Sequence, residues 1–323
     1  MSLVNRKSPW QKEWEDYLKK EEKFVSRRKQ GPTSVLINKL DRYVPQKLNE
    51  TLDKAFYKGF SLIFEKGTSV IEKTYDKEQK QANFQIDSYA SELKKDRKSL
   101  KKFTKRARSS KAVNTMATSL EGIGLGLVGA GLPDIPLFSA MVLKSVYEIA
   151  LSYGYDYESD GEKTFILKII EVAMYDDEEF QRENEAINSL IDDIVMAGDS
   201  LDEFEVDKEV QLENTANALS KEMLYTKFLQ GQMIVGVAGG IFNPVYLNRI
   251  SDYAVLKYRR RFLKSKVSSR PSSLKIKLQE RICYERKNTK SNKSCSHCSS
   301  LCCIDFFVTG IWTGKRRHPV QTV

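Results

Sequence analysis

The residues with the most recognisable chemical pattern lie between Gly122 and Phe138, GIGLGLVGAGLPDIPLF. Gly124, Gly126 and Gly129 complete a G-x-G-x-x-G, and Glu148 follows about twenty residues later. In a βαβ unit this arrangement holds a dinucleotide pyrophosphate on a helix N-terminus and a ribose on the carboxylate. That chemistry needs a buried strand before the first glycine and an unbroken helix from the second. Here the preceding NTMATSLE is small, polar and helix-tolerant, and Pro133 and Pro136 interrupt any helix soon after Gly129. The Lys and Ser/Thr of a P-loop are also missing, so the glycines are not read as a phosphate cradle and no cofactor is expected.

Nucleophilic and metal chemistry are limited by where Cys and His occur. Cys283, Cys295, Cys298, Cys302, Cys303, His297 and His318 all fall in the C-terminal tail. The preceding body has no thiolate, no imidazole base and no zinc site of the usual ligands. In CSHCSSLCC, Cys298 and Cys302 are too close for two ordinary zinc half-sites. Among carboxylates, Asp176, Asp177, Glu178 and Glu179 suit a hard divalent cation, which keeps a carboxylate- or metal-dependent hydrolase as an alternative. The first turn of a helix explains the same acids more simply, and no catalytic residue or metal ligand is assigned.

Charge is the strongest compositional signal. Residues 1–111 hold 28 Lys plus Arg against 15 Asp plus Glu, residues 112–265 hold 13 against 25, and residues 266–323 hold 12 against 3. The positive charge peaks between Lys94 and Lys111, where Lys94, Lys95, Arg97, Lys98, Lys101, Lys102, Lys105, Arg106, Arg108 and Lys111 are accompanied by one acid, Asp96. A run of this kind beside an apolar segment suits an anionic membrane surface. A soluble nucleic-acid-binding protein is the second alternative, but Phe103 is the only aromatic in the run and no readout motif is present, so no nucleic acid is expected. The N-terminus lacks the apolar core of a secretory signal, and the expected location is the cytoplasm, peripheral to the inner face of the cell membrane.

The glycines have another use. Gly122, Gly126 and Ala130, and later Gly236 and Gly240, place small residues four apart, which lets two helix backbones approach closely. Two such runs in one chain are expected to pack together. Two settings remain open for them, a tight core inside a soluble bundle and a shallow hairpin in a membrane. Gly122 to Pro133 as a helix covers only about 18 Å, short of a hydrocarbon core of about 30 Å.

The elements that must position these features read as helices throughout, giving an all-α, multi-helix bundle. Trp10, Trp14, Tyr17 and Leu18 mark a first amphipathic stripe, and Leu48, Leu52, Ala55, Phe56, Phe60 and Phe64 a second. A helix apolar nearly all round follows Asp134-Ile135-Pro136 and stops at Gly154. Ser159 to Glu162 has capping-box spacing before the stripe Phe165, Ile166, Ile169, Ile170 and Ala173. Two acidic helices are expected at about 177–197 and 200–229, the second with Val210, Leu219 and Met223 inward. Asn243-Pro244 opens a final helix that closes at KYRRRFLKSK.

GLPDIPLF, a helix ending in YG, and GEK, followed later by VGVAGGIFNPVYLNRISDYAVLKYRRRFL, resemble the signature of the EcsC family. The resemblance runs over roughly Trp10 to Lys264. It implies an α-helical bacterial protein of a family named after a member encoded beside the two components of an Ecs-type ABC transporter. The implied role is a non-enzymatic accessory or regulatory protein of such a transporter or of another membrane process. Transporter subunits become possible partners, and no activity is carried over. The matching positions are Gly131, Pro133, Asp134, Pro136, Gly154, Glu162, Gly236, Gly240, Asn243 and Arg261. The chain is thus divided into an EcsC-like domain, residues 1–265, and a basic, Cys-containing tail, residues 266–323, that departs from the family pattern and is expected to be disordered or adventitious.

Overall fold

A chain so rich in helical periodicity has to bury several stripes at once, and the long helix carrying KYRRRFLKSK becomes the post for five of the other described helices. The computed structural model describes residues 7–28, 46–109, 134–199, 201, 207–229 and 244–268, all within one unit, Met1–Ser269. Among the described residues there are nine helices and no strand. They are α1 (Pro9–Arg28), α2 (Gln46–Leu62, continued by a π-helical turn Ile63–Gly67 into Thr68–Glu72), α3 (Lys77–Lys94), α4 (Arg97–Ser109), α5 (Asp134–Ser152), α6 (Asp160–Met174), α7 (Asp177–Met196), α8 (Lys208–Leu229) and α9 (Pro244–Ser268).

The apolar helix expected after Asp134 is α5, with Pro136 in its first turn. It packs on α2, α3, α4 and α9, which accounts for its composition. Ile135–Ser152 is long and apolar enough to cross a membrane, yet 94% of that window is buried inside the protein. Even its charges are enclosed: Glu148, the acid of the apparent dinucleotide fingerprint, pairs with Lys80 at 2.7 Å and Lys144 at 3.1 Å. Where α5 meets α9, the Ser145 and Ser251 hydroxyls hydrogen-bond at 2.7 Å. A small residue on each helix makes that approach possible.

α9 in turn touches α1, α4, α5, α6 and α7, while α8 closes the other side by bridging α6 and α2. The Trp10, Trp14 and Tyr17 stripe is buried as expected, as are Leu52, Ala55, Phe56 and Phe60 of α2. Val210 is a correction. It is 52% exposed, because the inner face of α8 runs instead through Gln211, Leu212, Thr215, Ala216 and Leu219. The glycine-rich runs around Gly122 to Pro133 and Gly231 to Asn243, and the tail with its Cys and His, lie outside the described residues.

Gly154 ends α5 as the sequence expects. Its φ of +87° is the left-handed conformation of a helix stop, and its N–H reaches the Leu151 carbonyl at 3.0 Å. A Cβ there would stand 2.3 Å from the Phe84 ring. Phe84 contacts Phe103 and Phe262, with centroids 5.6 and 6.2 Å away, so Gly154 is where the α3–α4 pair locks onto α5 and α9. Gly154→Ala combines left-handed strain with overpacking and should destabilise the protein by about 2–5 kcal/mol. A shift in the midpoint of denaturant unfolding tests this, and an unchanged midpoint would contradict it.

Candidate functional site

The basic run does not form one helix. Asp76 caps α3 by accepting from the Gln79 N–H at 2.7 Å, and α3 ends at Lys95, whose φ of 47° is left-handed. Asp96 then caps α4, accepting from the Ser99 N–H at 2.7 Å. Only Lys95 and Asp96 separate the two helices, and Phe84 and Asp87 of α3 lie against Phe103 and Arg106 of α4, so the pair is an antiparallel hairpin. Both helices rest on α5.

α4 turns Ser99, Leu100, Phe103 and Ala107 inward. Lys94, Lys95, Lys98, Lys101, Lys102, Lys105 and Arg108 are exposed on the hairpin. Arg97 and Arg106 are held in ion pairs instead, Arg97 with Glu13 and Asp16 of α1 and Arg106 with the buried Asp87. Lys102 also lies 3.6 Å from Asp87. Lys111 is outside the described residues. Burial lowers the Lys20 ammonium of neighbouring α1 below its ordinary range, and Arg259, Arg108 and Lys101 push it the same way against the pull of Glu13.

A second set of charges is internal. Five consecutive-turn cations of α9, namely Lys257, Arg259, Arg260, Arg261 and Lys264, are buried. Lys257 pairs with Glu21 at 2.8 Å, Arg259 with Glu13, and Arg260 with Glu21 at 3.2 Å and Asp192 at 3.3 Å. Lys264 pairs with Asp192, and Arg261 with Glu162 and Asp199, each at 2.7 Å. The aromatic face of α1 encloses part of this network, with Trp14 within 5.5 Å of the Arg260 guanidinium.

Two positions of the family signature, Glu162 and Arg261, therefore meet directly. Ser159 does cap α6, accepting from the Glu162 N–H at 3.2 Å. The Glu162 side chain does not complete the box. It turns into the core, where it also accepts from the Tyr258 hydroxyl at 2.6 Å. Of the other signature positions, Asp134 begins α5, Pro136 lies in its first turn and Gly154 ends it. Gly131, Pro133, Gly236, Gly240 and Asn243 are outside the described residues.

Sequence reasoning missed Glu13, Glu21, Asp192 and Asp199. A signal existed, because Glu13 and Glu21 share the helical face of Trp10, Trp14 and Tyr17. A complementary one lies in α9, where Asp252 is the only acid, so its cations have to find partners on other helices.

The acids Asp177, Glu178 and Glu179 occupy the first turn of α7, and no group of three potential metal ligands converges among the described residues. Asp176 instead lies 3.2 Å from Arg28 and 2.9 Å from Arg249. Both guanidiniums also donate to the Ala173 and Tyr175 carbonyls at the end of α6. Glu222 joins them, 2.9 Å from Arg249, and burial raises its carboxyl to about 7 although Arg249 pulls it down. A cavity of about 270 Å³ lies among α6, α7 and α8, with Phe165, Lys168, Leu190 and Gln211 in its wall. Glu222 and the acids from Asp176 to Glu179 do not line it.

These features define a helical-bundle protein with a neutralised ionic core and a cationic hairpin on its outside. The family model for the EcsC protein family matches residues 10–263, most of the chain, and the protein belongs to that family. Neither a curated protein nor a solved structure matches the chain.

Arg261→Met leaves Glu162 and Asp199 without their guanidinium and should cost about 3–5 kcal/mol in denaturant unfolding. Adding Glu162→Gln should recover part of the loss, and strictly additive costs would show that the pair is not coupled. Glu21 gives a pH test. Burial alone raises its carboxyl, but Lys257 and Arg260 outweigh that and bring it from 4.5 to about 2. A folded value below the unfolded one means stabilisation that is complete above 4.5 and is lost as pH falls towards 2. Glu21→Gln should be less stable at neutral pH and should flatten the unfolding profile in that window.

Proposed function

We propose that the protein is a non-enzymatic, peripheral membrane protein that docks on the anionic inner face of the cell membrane. The observation that carries this reading is the one-sidedness of α4. Lys98, Lys101, Lys102, Lys105 and Arg108 face solvent on a helix with no acid of its own, while its opposite face is anchored in the core. Each Lys or Arg near an anionic surface contributes about 1 kcal/mol, so half of the seven exposed cations give roughly 3–4 kcal/mol. An accessory or regulatory role beside an ABC transporter, or in another membrane process, follows from the family resemblance and fits a protein that waits at that surface.

A second reading, acid–base chemistry by a carboxylate, rests on Glu222 with its raised carboxyl. Its 2.9 Å contact with Arg249 and its separation from the cavity favour a structural ion pair instead. Nucleic acid would use the same lysines as lipid, and competition between anionic vesicles and duplex DNA distinguishes them.

In vesicle flotation the protein should bind anionic but not neutral vesicles. Reversing Lys98, Lys101, Lys105 and Arg108 to Glu, and sparing Lys102 beside the buried Asp87, should abolish binding while leaving the helical circular dichroism and the unfolding midpoint unchanged. Equal flotation of the two proteins, or none for either, would defeat the proposal.

A further inference from the structure

The outer side of α3 carries something that the packing of the hairpin leaves unused. Ala82, Ile86, Tyr89 and Leu93 recur at spacings of four, three and four, which aligns them along one side of the helix. That side is opposite the one formed by Phe84, Asp87 and Ser91, which faces the protein. Ile86, Tyr89 and Leu93 are 63%, 70% and 69% exposed. Most helices of this fold bury their large apolar side chains, and three in line on the solvent side of one already anchored helix need another explanation.

Their setting supplies it. The stripe runs directly into Lys94 and Lys95 and, across a two-residue link, into Lys98, Lys101, Lys102 and Lys105 of α4. Both helices lie on α5, so the sides they turn away from it form the outer surface of one layer. We infer that this surface is an amphipathic membrane-interface site, in which Ile86, Tyr89 and Leu93 enter the headgroup and acyl boundary of an anionic bilayer while the flanking lysines engage its headgroups. The inference rests on the membrane reading above and assigns its apolar component to α3. Tyr89 suits that depth, with an apolar ring and a hydroxyl able to stay among polar headgroups. α3 itself carries two exposed acids, Glu78 and Glu92, and Glu92 is paired with Lys266 at 3.4 Å; Asp156 and Glu158 stand beside its first turns, against Gln81 and Lys77. Seven exposed cations outnumber them. A second copy of the chain is a weaker fit, because a large side chain buries about 150–250 Å² and three fall short of the roughly 800 Å² per partner that a stable interface uses.

Charge attraction is screened by salt and apolar burial is not, so the two contributions separate experimentally. Full-length protein would be floated with vesicles of phosphatidylglycerol and phosphatidylcholine at low and at high salt, alongside a variant carrying Ile86→Ser, Tyr89→Ser and Leu93→Ser. The variant should bind at low salt and lose at least tenfold of the wild-type binding that persists at high salt. Independently, Tyr89→Trp should give a fluorescence component quenched by bromine-labelled acyl chains in the same vesicles. Wild-type salt resistance in the triple variant, together with no quenching of the indole introduced by Tyr89→Trp, would overturn the inference while leaving electrostatic binding intact. Failure of the wild type to float at low salt would overturn the membrane reading itself. Conversion of a dimer to a monomer by the triple serine change, without any effect on flotation, would show that the stripe serves a second copy instead.

Discussion

Five buried cations on one helix set the terms for this fold. Lys257, Arg259, Arg260, Arg261 and Lys264 would be prohibitive in a low-dielectric interior unless carboxylates reached them, and Glu13, Glu21, Glu162, Asp192 and Asp199 do so. These acids come from α1, α6, α7 and the segment after α7. Neutralising α9 therefore requires those elements to be in place around it. The network constrains geometry more than apolar burial does, because a slipped hydrophobic contact weakens gradually whereas a slipped buried ion pair leaves a charge without its partner.

The same helix holds the outer hairpin by a different means. Phe262, set among the cations of α9, has the rings of Trp10, Phe84, Phe103 and Tyr153 around it, with centroids 4.6 to 6.2 Å away. Phe84 and Phe103 are contributed by the two arms of the hairpin. With its inner faces fixed in this way, the hairpin can leave lysines and a short apolar stripe on its outer faces without losing its position. A surface site on a rigid support needs little ordering when it meets its target.

The two populations of positive charge illustrate how much environment matters. The KYRRRFLK segment and the Lys94 to Arg108 segment are similarly basic, yet one is enclosed and paired while the other is largely in solvent. Their difference follows from the neighbours on each helix. In α4 the inward positions are Ser, Leu, Phe and Ala at helical spacing, so one side is apolar and the cations share the other. In α9 apolar and charged residues are interleaved around the whole circumference, and five surrounding helices leave its basic end no solvent side.

The sequence by itself determined the helical class, the nearly all-round apolar character of the helix after Asp134, the stop at Gly154, the cap at Ser159, the helix start at Pro244, and the polybasic run. Each follows from local rules: helical periodicity, the conformational freedom of glycine, the fixed φ of proline and the linear density of lysine. It also carried the family signature in GLPDIPLF and its companions. Only the tertiary structure decided that protein encloses the apolar helix after Asp134, that the Glu162 side chain turns to Arg261, that Glu13 and Glu21 of α1 neutralise cations of α9, and that the basic run breaks at Lys95 into a hairpin with an apolar outer edge. These depend on which helices become neighbours, and electrostatic partners that distant along the chain leave no fixed spacing from which to read them.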